Sequence, residues 1–326
     1  MLERSEVVPD LTSDYVRSSW EALEPHLTPT VLVHSDALDG VVGTRVVLAC
    51  ETFQHTGSFK FRAAYNLLRG VQSREIVAAS SGNFGQAVAL AARRLSKQCI
   101  VVMPDQSARV KVEAVRRNGA AVELIDTARI SRMERVRQLL EERPGSFYAP
   151  AYDHPGVVAG NSSLGREIFE RSADVDALVV PVGGGGLISG IITARDALRH
   201  RASVVGAEPA LANDAARSLR TGALVANDAE PPTIADGART LSLGQFTWPI
   251  VRRGVEDILE VSEGAIAEAV RLLFRLANLK AEPTGALALG AVLSCRERFA
   301  GKRLCCVVSG GNVDEELYAA ILRHEL

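Results

Sequence analysis

The chain has 326 residues, 47% of them hydrophobic and 23% charged, with a formal net charge of −2. That length suits two domains with sizeable cores, and the even charge balance leaves no basic face for nucleic acid and no charged tail. The five cysteines, Cys50, Cys99, Cys295, Cys305 and Cys306, form no CxxC pair; a reduced, cytoplasmic protein without a disulfide or zinc framework is expected.

Residues 1–16 (MLERSEVVPDLTSDYV) carry acidic groups and lack the apolar stretch of a signal peptide. Along the chain, residues 45–50 (RVVLAC), 76–79 (IVAA), 98–103 (QCIVVM), 121–125 (AVELI), 177–182 (ALVVPV), 203–207 (SVVGA) and 304–308 (LCCVV) read as strands. They are continuous apolar runs, as expected of strands covered on both faces, and too short to span a bilayer. Between them, helices are predicted over 85–95, 132–142 (with Met133, Val136, Leu139 and Leu140 on one stripe), 265–277 and 285–299. Residues 222–237, rich in Pro, Asp and Gly, read as a surface excursion. The βα alternation predicts an α/β protein with parallel sheets.

In such sheets chemistry collects where strands end and helices begin. Four strand ends carry polar or glycine-rich turns, at residues 52–60, 80–85, 183–190 and 309–312. Residues 181–190 read PVGGGGLISG. Bare glycine amides at a helix N-terminus suit a phosphate dianion, whereas a tight helix–sheet turn is the structural alternative. The spacing breaks the GxGxxG dinucleotide pattern, and no Gly-Lys-Ser/Thr triplet follows, so a smaller phosphorylated cofactor fits better. Residues 56–62 read TGSFKFR. With Ser58 as N-cap, Lys60 falls in the first helical turn, where the positive helix end would lower its pKa and favour an amine nucleophile. A lone lysine is ordinarily a solvated surface group. An amine that captures aldehydes beside a phosphate loop points to pyridoxal phosphate.

TGSFKFRAA around Lys60, ASSGNFGQA at 79–87, PVGGGGLISG, GAEP at 206–209, TIADG at 233–237, EPTGA at 282–286 and VSGGNVD at 308–314 run in order over nearly the whole chain. In these motifs the sequence resembles the threonine/serine dehydratase and serine racemase family, the fold-type II or tryptophan synthase β-like pyridoxal-phosphate enzymes. The resemblance implies two parallel-sheet α/β domains. Residues 1–75 and 152–326 would form a large cofactor-binding domain, and residues 76–151 a small mobile one. It implies that Lys60 is the Schiff-base lysine and α-proton base, with Phe59 against the cofactor ring and Asn83 by its 3′-oxygen. Gly183, Gly184, Gly185, Gly186 and Leu187 would hold the phosphate, and Ser309 would face the pyridine nitrogen. Ser80, Ser81, Gly82, Asn83 and Phe84 would grip the substrate carboxylate. Ser81, opposite the lysine, would permit reprotonation of the α-carbon; a turn hydroxyl capping the next helix is the plain alternative. A serine at the ring nitrogen makes a weaker electron sink than a carboxylate partner would, which favours β-elimination over transamination.

The resemblance further implies a Mg²⁺ or Ca²⁺ site at Glu208, Asp214 and the Ala212 carbonyl, and a substrate-side position for Arg132, which could equally be a solvated arginine. Tyr152, Asp153 and His154 stand where they could reach a substrate side chain. The family's AGQGT reads AGNSSL here, at 159–164, so substrate identity is expected to depart with it. The expected activity is a pyridoxal-phosphate-dependent ammonia-lyase that turns a small β-hydroxy amino acid such as threonine or serine into a 2-oxo acid and ammonia. A serine or aspartate racemase on the same site and a catalytically silent cofactor-binding protein are the alternatives. The chain is expected to be a homodimer, with a small amino acid as substrate and neither nucleic acid nor membrane as partner.

Overall fold

The computed structural model describes residues 10–326; the reading of residues 1–9 as part of a non-signal N-terminus lies outside them. The chain opens with α1 (Ser13–Leu23), β1 (Val31–His34), α2 (Asp36–Val42), β2 (Val46–Cys50) and α3 (Lys60–Arg69). It continues through β3 (Glu75–Ala79), α4 (Asn83–Arg94), β4 (Gln98–Pro104), α5 (Arg109–Arg117), β5 (Ala121–Ile125), α6 (Arg132–Glu142) and β6 (Phe147–Tyr148). Then follow α7 (Pro155–Arg171), β7 (Ala177–Pro181), α8 (Gly186–Leu198), β8 (Ser203–Pro209), α9 (Asp214–Thr221), α10 (Thr247–Gly254) and β9 (Asp257–Val261). The last elements are α11 (Glu263–Ala277), α12 (Pro283–Ser294), α13 (Arg296–Phe299), β10 (Leu304–Val308) and α14 (Glu315–Leu322).

Two sheets result. One has six strands in the order β1-β2-β10-β7-β8-β9, and the other has four, β5-β4-β3-β6. All pairings are parallel except that of β1, which runs antiparallel to β2 at the sheet edge. The larger sheet is covered on both faces, which is why its strands show no polar alternation. Along β10, Leu304, Cys306 and Val308 enter a core shared with α2, α11 and α12, while Cys305 and Val307 enter one shared with α1, α7 and α8. In the smaller sheet Ile76 and Ala78 face α3 and α4, and Val77 faces α6.

The AGNSSL residues lie within α7. Gly160 lets α7 approach α3 so closely that a Cβ there would lie 2.5 Å from the Arg62 carbonyl oxygen. Gly165 does the same against α8, where an added Cβ would meet Ile191 Cα at 3.2 Å. Ser162 and Ser163 are buried inside this helix. Ser162 Oγ accepts from Trp20 Nε1 at 2.7 Å and Ser163 Oγ accepts from Arg62 Nη1 at 3.0 Å. Tertiary packing thus overrides the weak helix propensity of Gly, Asn and Ser.

Candidate active site

The parallel strands bring their C-terminal ends together. Val308, last in β10, lies opposite Cys50, last in β2. The chain leaving β2 therefore passes the chain leaving β10: Phe59 N–H donates to the Ser309 carbonyl at 3.0 Å, and Ser58 bridges Gly310. This pairing starts α3 at Lys60. Ser58 is not its N-cap as expected, because its buried hydroxyl has no hydrogen-bond partner among the described residues and its backbone is committed to Gly310.

Lys60 Nζ donates to the Ala151 carbonyl at 3.2 Å and lies 4.9 Å from the centre of the Phe59 ring and 5.9 Å from that of Phe84. Burial pushes its pKa down to about 8, with Glu282 opposing. The dominant cause is desolvation rather than the helix end considered from sequence. Glu282, the residue before α12, is buried and was not singled out by sequence. Burial, then Asp236, pushes its pKa up to about 8. It accepts from Asn83 Nδ2 at 2.8 Å, while Asn83 Oδ1 accepts from Asn312 Nδ2 at 2.7 Å. Asn83 thereby joins the β3–α4 turn to the two segments that flank Lys60.

That turn offers donors. Ser80 Oγ accepts from Gly82 N–H at 3.3 Å, and Gly82 precedes α4 without a capping side chain. Among the described residues, the N–H groups of Ser81, Asn83 and Phe84 and the Ser81 hydroxyl have no protein partner, so Ser81 is not a helix cap. The glycine loop offers more. None of the N–H groups from Gly183 to Ile188 finds an acceptor among the described residues. Most of these residues are buried, and buried amides are rarely left unpaired without a purpose. The glycines also make room. A Cβ on Gly184 would fall within the Tyr152 ring, and one on Gly183 would meet the Gly237 carbonyl oxygen at 3.1 Å. The tight-packing alternative therefore holds, and the same loop leaves its amides open to a ligand. Ser309 is buried at the end of β10, and its hydroxyl makes no hydrogen bond among the described residues.

An amine kept partly neutral, a row of unpaired amides at the start of α8 and a second set at the start of α4 fit a phosphorylated aldehyde cofactor. Lys60, Phe59, Phe84, Asn83 and Ser309 come together. Arg132 lies further out: its Nη2 is 3.8 Å from Glu230 Oε2, with both side chains exposed. Lys111 Nζ likewise meets Asp236 Oδ2 at 2.8 Å, so both cations of the four-stranded side pair with acids of the 222–240 segment.

Tyr152, Asp153 and His154 divide their work differently from the expectation. The His154 ring accepts from Gly156 N–H at 3.0 Å and caps α7, and burial pushes its pKa down to about 4, so it stays neutral. Asp153 accepts from backbone amides ahead of α10, and only Tyr152 faces the glycine loop. Glu208 and Asp214 are buried together, with Glu208 accepting from Ala215 and Ala216 N–H at 3.2 and 2.6 Å. Asp214 Oδ1 accepts from Asn227 Nδ2 at 2.8 Å, and Asp214 Oδ2 has no hydrogen-bond partner among the described residues. Burial raises both pKa values, to about 8 and about 7. Two buried carboxyls with a free oxygen fit a hard cation.

The model of the family described as "Pyridoxal-phosphate dependent enzyme" matches residues 23–310. The chain is 41% identical to an L-threo-3-hydroxyaspartate ammonia-lyase of Pseudomonas sp, over 93% of this chain and 96% of that one. It is 36% identical to a serine racemase of Schizosaccharomyces pombe, over 95% and 97% of the two chains. Among solved structures, a threonine deaminase from T.th. superposes with a TM-score of 0.87 at 40% identity, covering 92% of this chain and 98% of that one.

Proposed function

The chain belongs to the pyridoxal-phosphate dependent enzyme family, and on that premise we propose that it is an ammonia-lyase acting on 3-hydroxyaspartate or a close β-hydroxy amino acid, yielding a 2-oxo acid and ammonia. Its fold is fold-type II, and the relatives include lyases that act by elimination. The observation that carries the reading is Lys60, a buried amine whose pKa is pushed down to about 8, in a fold that leaves two groups of amides unpaired among the described residues.

When bound, pyridoxal phosphate supplies an aldehyde that captures amines and a ring that takes up the electron pair released at the α-carbon. The chain's own residues supply the rest. The amides from Gly183 to Leu187 hold the phosphate. Phe59 would pack by the ring, and the Ser309 hydroxyl would be the group offered to its nitrogen, adding no charge. In the turn from Ser80 to Phe84, the free N–H groups of Ser81, Asn83 and Phe84 hold the substrate carboxylate. Lys60 Nζ, in its neutral form, would remove the α-proton, and that proton would leave with the β-hydroxyl as water. Glu282, close to Lys60 and mostly protonated at neutral pH, adjusts that lysine's basicity. Residues 76–151 act as a small domain that closes over the substrate, held at the rim by Lys111–Asp236 and Arg132–Glu230. A Mg²⁺ or Ca²⁺ ion at Glu208, Asp214 and the Ala212 carbonyl steadies the adjoining segments. The molecule works as a homodimer in the cytoplasm.

The test is a panel of β-hydroxy amino acids, assayed for 2-oxo acid and ammonia, with the visible absorbance of bound cofactor recorded in parallel. Lys60→Ala loses the band and about 10²- to 10⁴-fold of the activity. Bound cofactor without turnover of any panel member refutes the lyase reading. The partnerless Ser81 hydroxyl favours racemisation as a second activity. Chiral analysis of serine and aspartate after incubation tests it, and Ser81→Ala should abolish it while sparing elimination.

A further inference from the structure

The segment between β6 and α7 touches three walls of the site. The Ala151 carbonyl receives Lys60 Nζ, and Tyr152 lies against Gly184 and Gly186. Asp153 turns the other way. Its Oδ1 accepts from Phe246 and Thr247 N–H at 2.9 and 3.2 Å, and its Oδ2 accepts from Gln245 N–H at 3.0 Å. These are leading amides of α10, a helix whose own flanking residue gives no side-chain cap. Gly244 makes the approach possible, since a Cβ there would fall on the Asp153 carboxyl group. A carboxylate at a helix N-terminus is favourable in charge as well as in hydrogen bonding.

α10 then returns to the glycine loop. The Thr247 hydroxyl donates to the Gly184 carbonyl at 2.8 Å, and Gly244 N–H donates to the same carbonyl at 3.2 Å. The C=O of Gly184 and the N–H of Gly185 share one planar trans peptide unit and point in opposite directions. Fixing the first toward α10 therefore aims the second away from it. Gly185 sits at φ +86, and a side chain there would meet Thr247 Oγ1 at 2.8 Å.

We infer that Asp153 is a positioning residue for the phosphate loop: by holding the start of α10 it sets, through Thr247, the peptide plane that aims the loop's amides. This rests on the cofactor reading of that loop given above. Four adjacent glycines are otherwise floppy, and ordering them in advance removes an entropic cost from cofactor binding.

The experiment titrates cofactor-free protein with pyridoxal phosphate, and separately with inorganic phosphate, following the fluorescence of Trp248 beside Thr247. Asp153→Ala should weaken both ligands by about tenfold or more, and Asp153→Asn, which keeps one acceptor oxygen, by less. Activity at saturating cofactor should return toward that of the unaltered protein. A folded Asp153→Ala variant that binds both ligands within about twofold of the unaltered protein, whatever its melting temperature, overturns the inference and leaves the proposed function standing. If Asp153→Ala does not fold, Thr247→Val, which removes only the hydroxyl on Gly184, is judged by the same thresholds. An unaltered protein that takes up no pyridoxal phosphate overturns the proposed function and this inference together.

Discussion

Asn83 Nδ2 donates to Glu282 Oε1 at 2.8 Å, so the turn after β3 is tied to the residue that opens α12, beside the lysine that both segments enclose. This one contact links the two sheets through a buried acid.

The acid and the lysine titrate in the same region, each near pH 8. Lys60 must be neutral to capture an aldehyde, so the rate of cofactor uptake should rise with pH through about 8. Glu282 gains negative charge as pH rises and then favours the ammonium form. Glu282→Gln removes that opposition, and the midpoint of uptake should shift to lower pH. Stopped-flow absorbance across pH 6–10, buffered at constant ionic strength, measures it; a midpoint that stays put or moves upward contradicts the coupling.

Gly184→Ala places a methyl group inside the Tyr152 ring. Overpacking of this kind costs about 1–3 kcal/mol and should displace the loop, lowering both thermal stability and cofactor affinity. Tyr152→Ala in the same chain should recover much of the affinity lost. A double-mutant cycle in cofactor dissociation constants reads this, and additive losses would count against the steric account.

Glu208 and Asp214 have folded-state pKa values of about 8 and about 7, raised from ordinary values of 4.5 and 3.8. The folded chain therefore holds protons that the unfolded chain releases, so cation-free protein should lose stability as pH rises through roughly 4 to 8. Mg²⁺ or Ca²⁺ should offset the loss and raise the melting temperature most at the alkaline end. Asp214→Asn should flatten the pH trend and remove most of the cation response. Calorimetry with cation and with chelator would show otherwise if the two curves coincide.

Arg62 is fully buried and donates to Glu51, Glu167, Thr30 and Ser163. Arg62→Ala leaves the buried Glu51 without its partner and should cost about 3–5 kcal/mol in a denaturant titration. Arg62→Lys cannot supply the same fork of donors and should restore only part.

The strands of the two sheet interiors were readable because burial on both faces leaves continuous apolar runs, and residues 121–125 and 304–308 match β5 and β10 end to end. β1, β6 and β9 were missed. β6 has two residues and β1 four, too few to carry a pattern, and each lies at a sheet edge. α7 was missed because its glycines, which weaken a helix locally, serve its contacts with α3 and α8. The lysine, the glycine loop and the turn after β3 stood out because each breaks the local norm for its element. Glu282 did not, since an acid before Pro283 looks like an ordinary helix start. Asp153 could not be placed, because the amides it holds lie 92 to 94 residues away.

α7 is packed through Gly160 against the helix that begins with Lys60, and through Gly165 against the helix that begins with the phosphate loop. Lys60 and the glycine loop, the two anchors proposed for the cofactor, thus share one spacer, and its width is set by missing side chains. A side chain at either glycine would move both anchors at once. A freer place to vary is the exposed Arg132–Glu230 pair, since Lys111 and Asp236 both act on the charge of Glu282 and through it on Lys60. A library built to retune selectivity should be confined to those positions and leave α7 untouched.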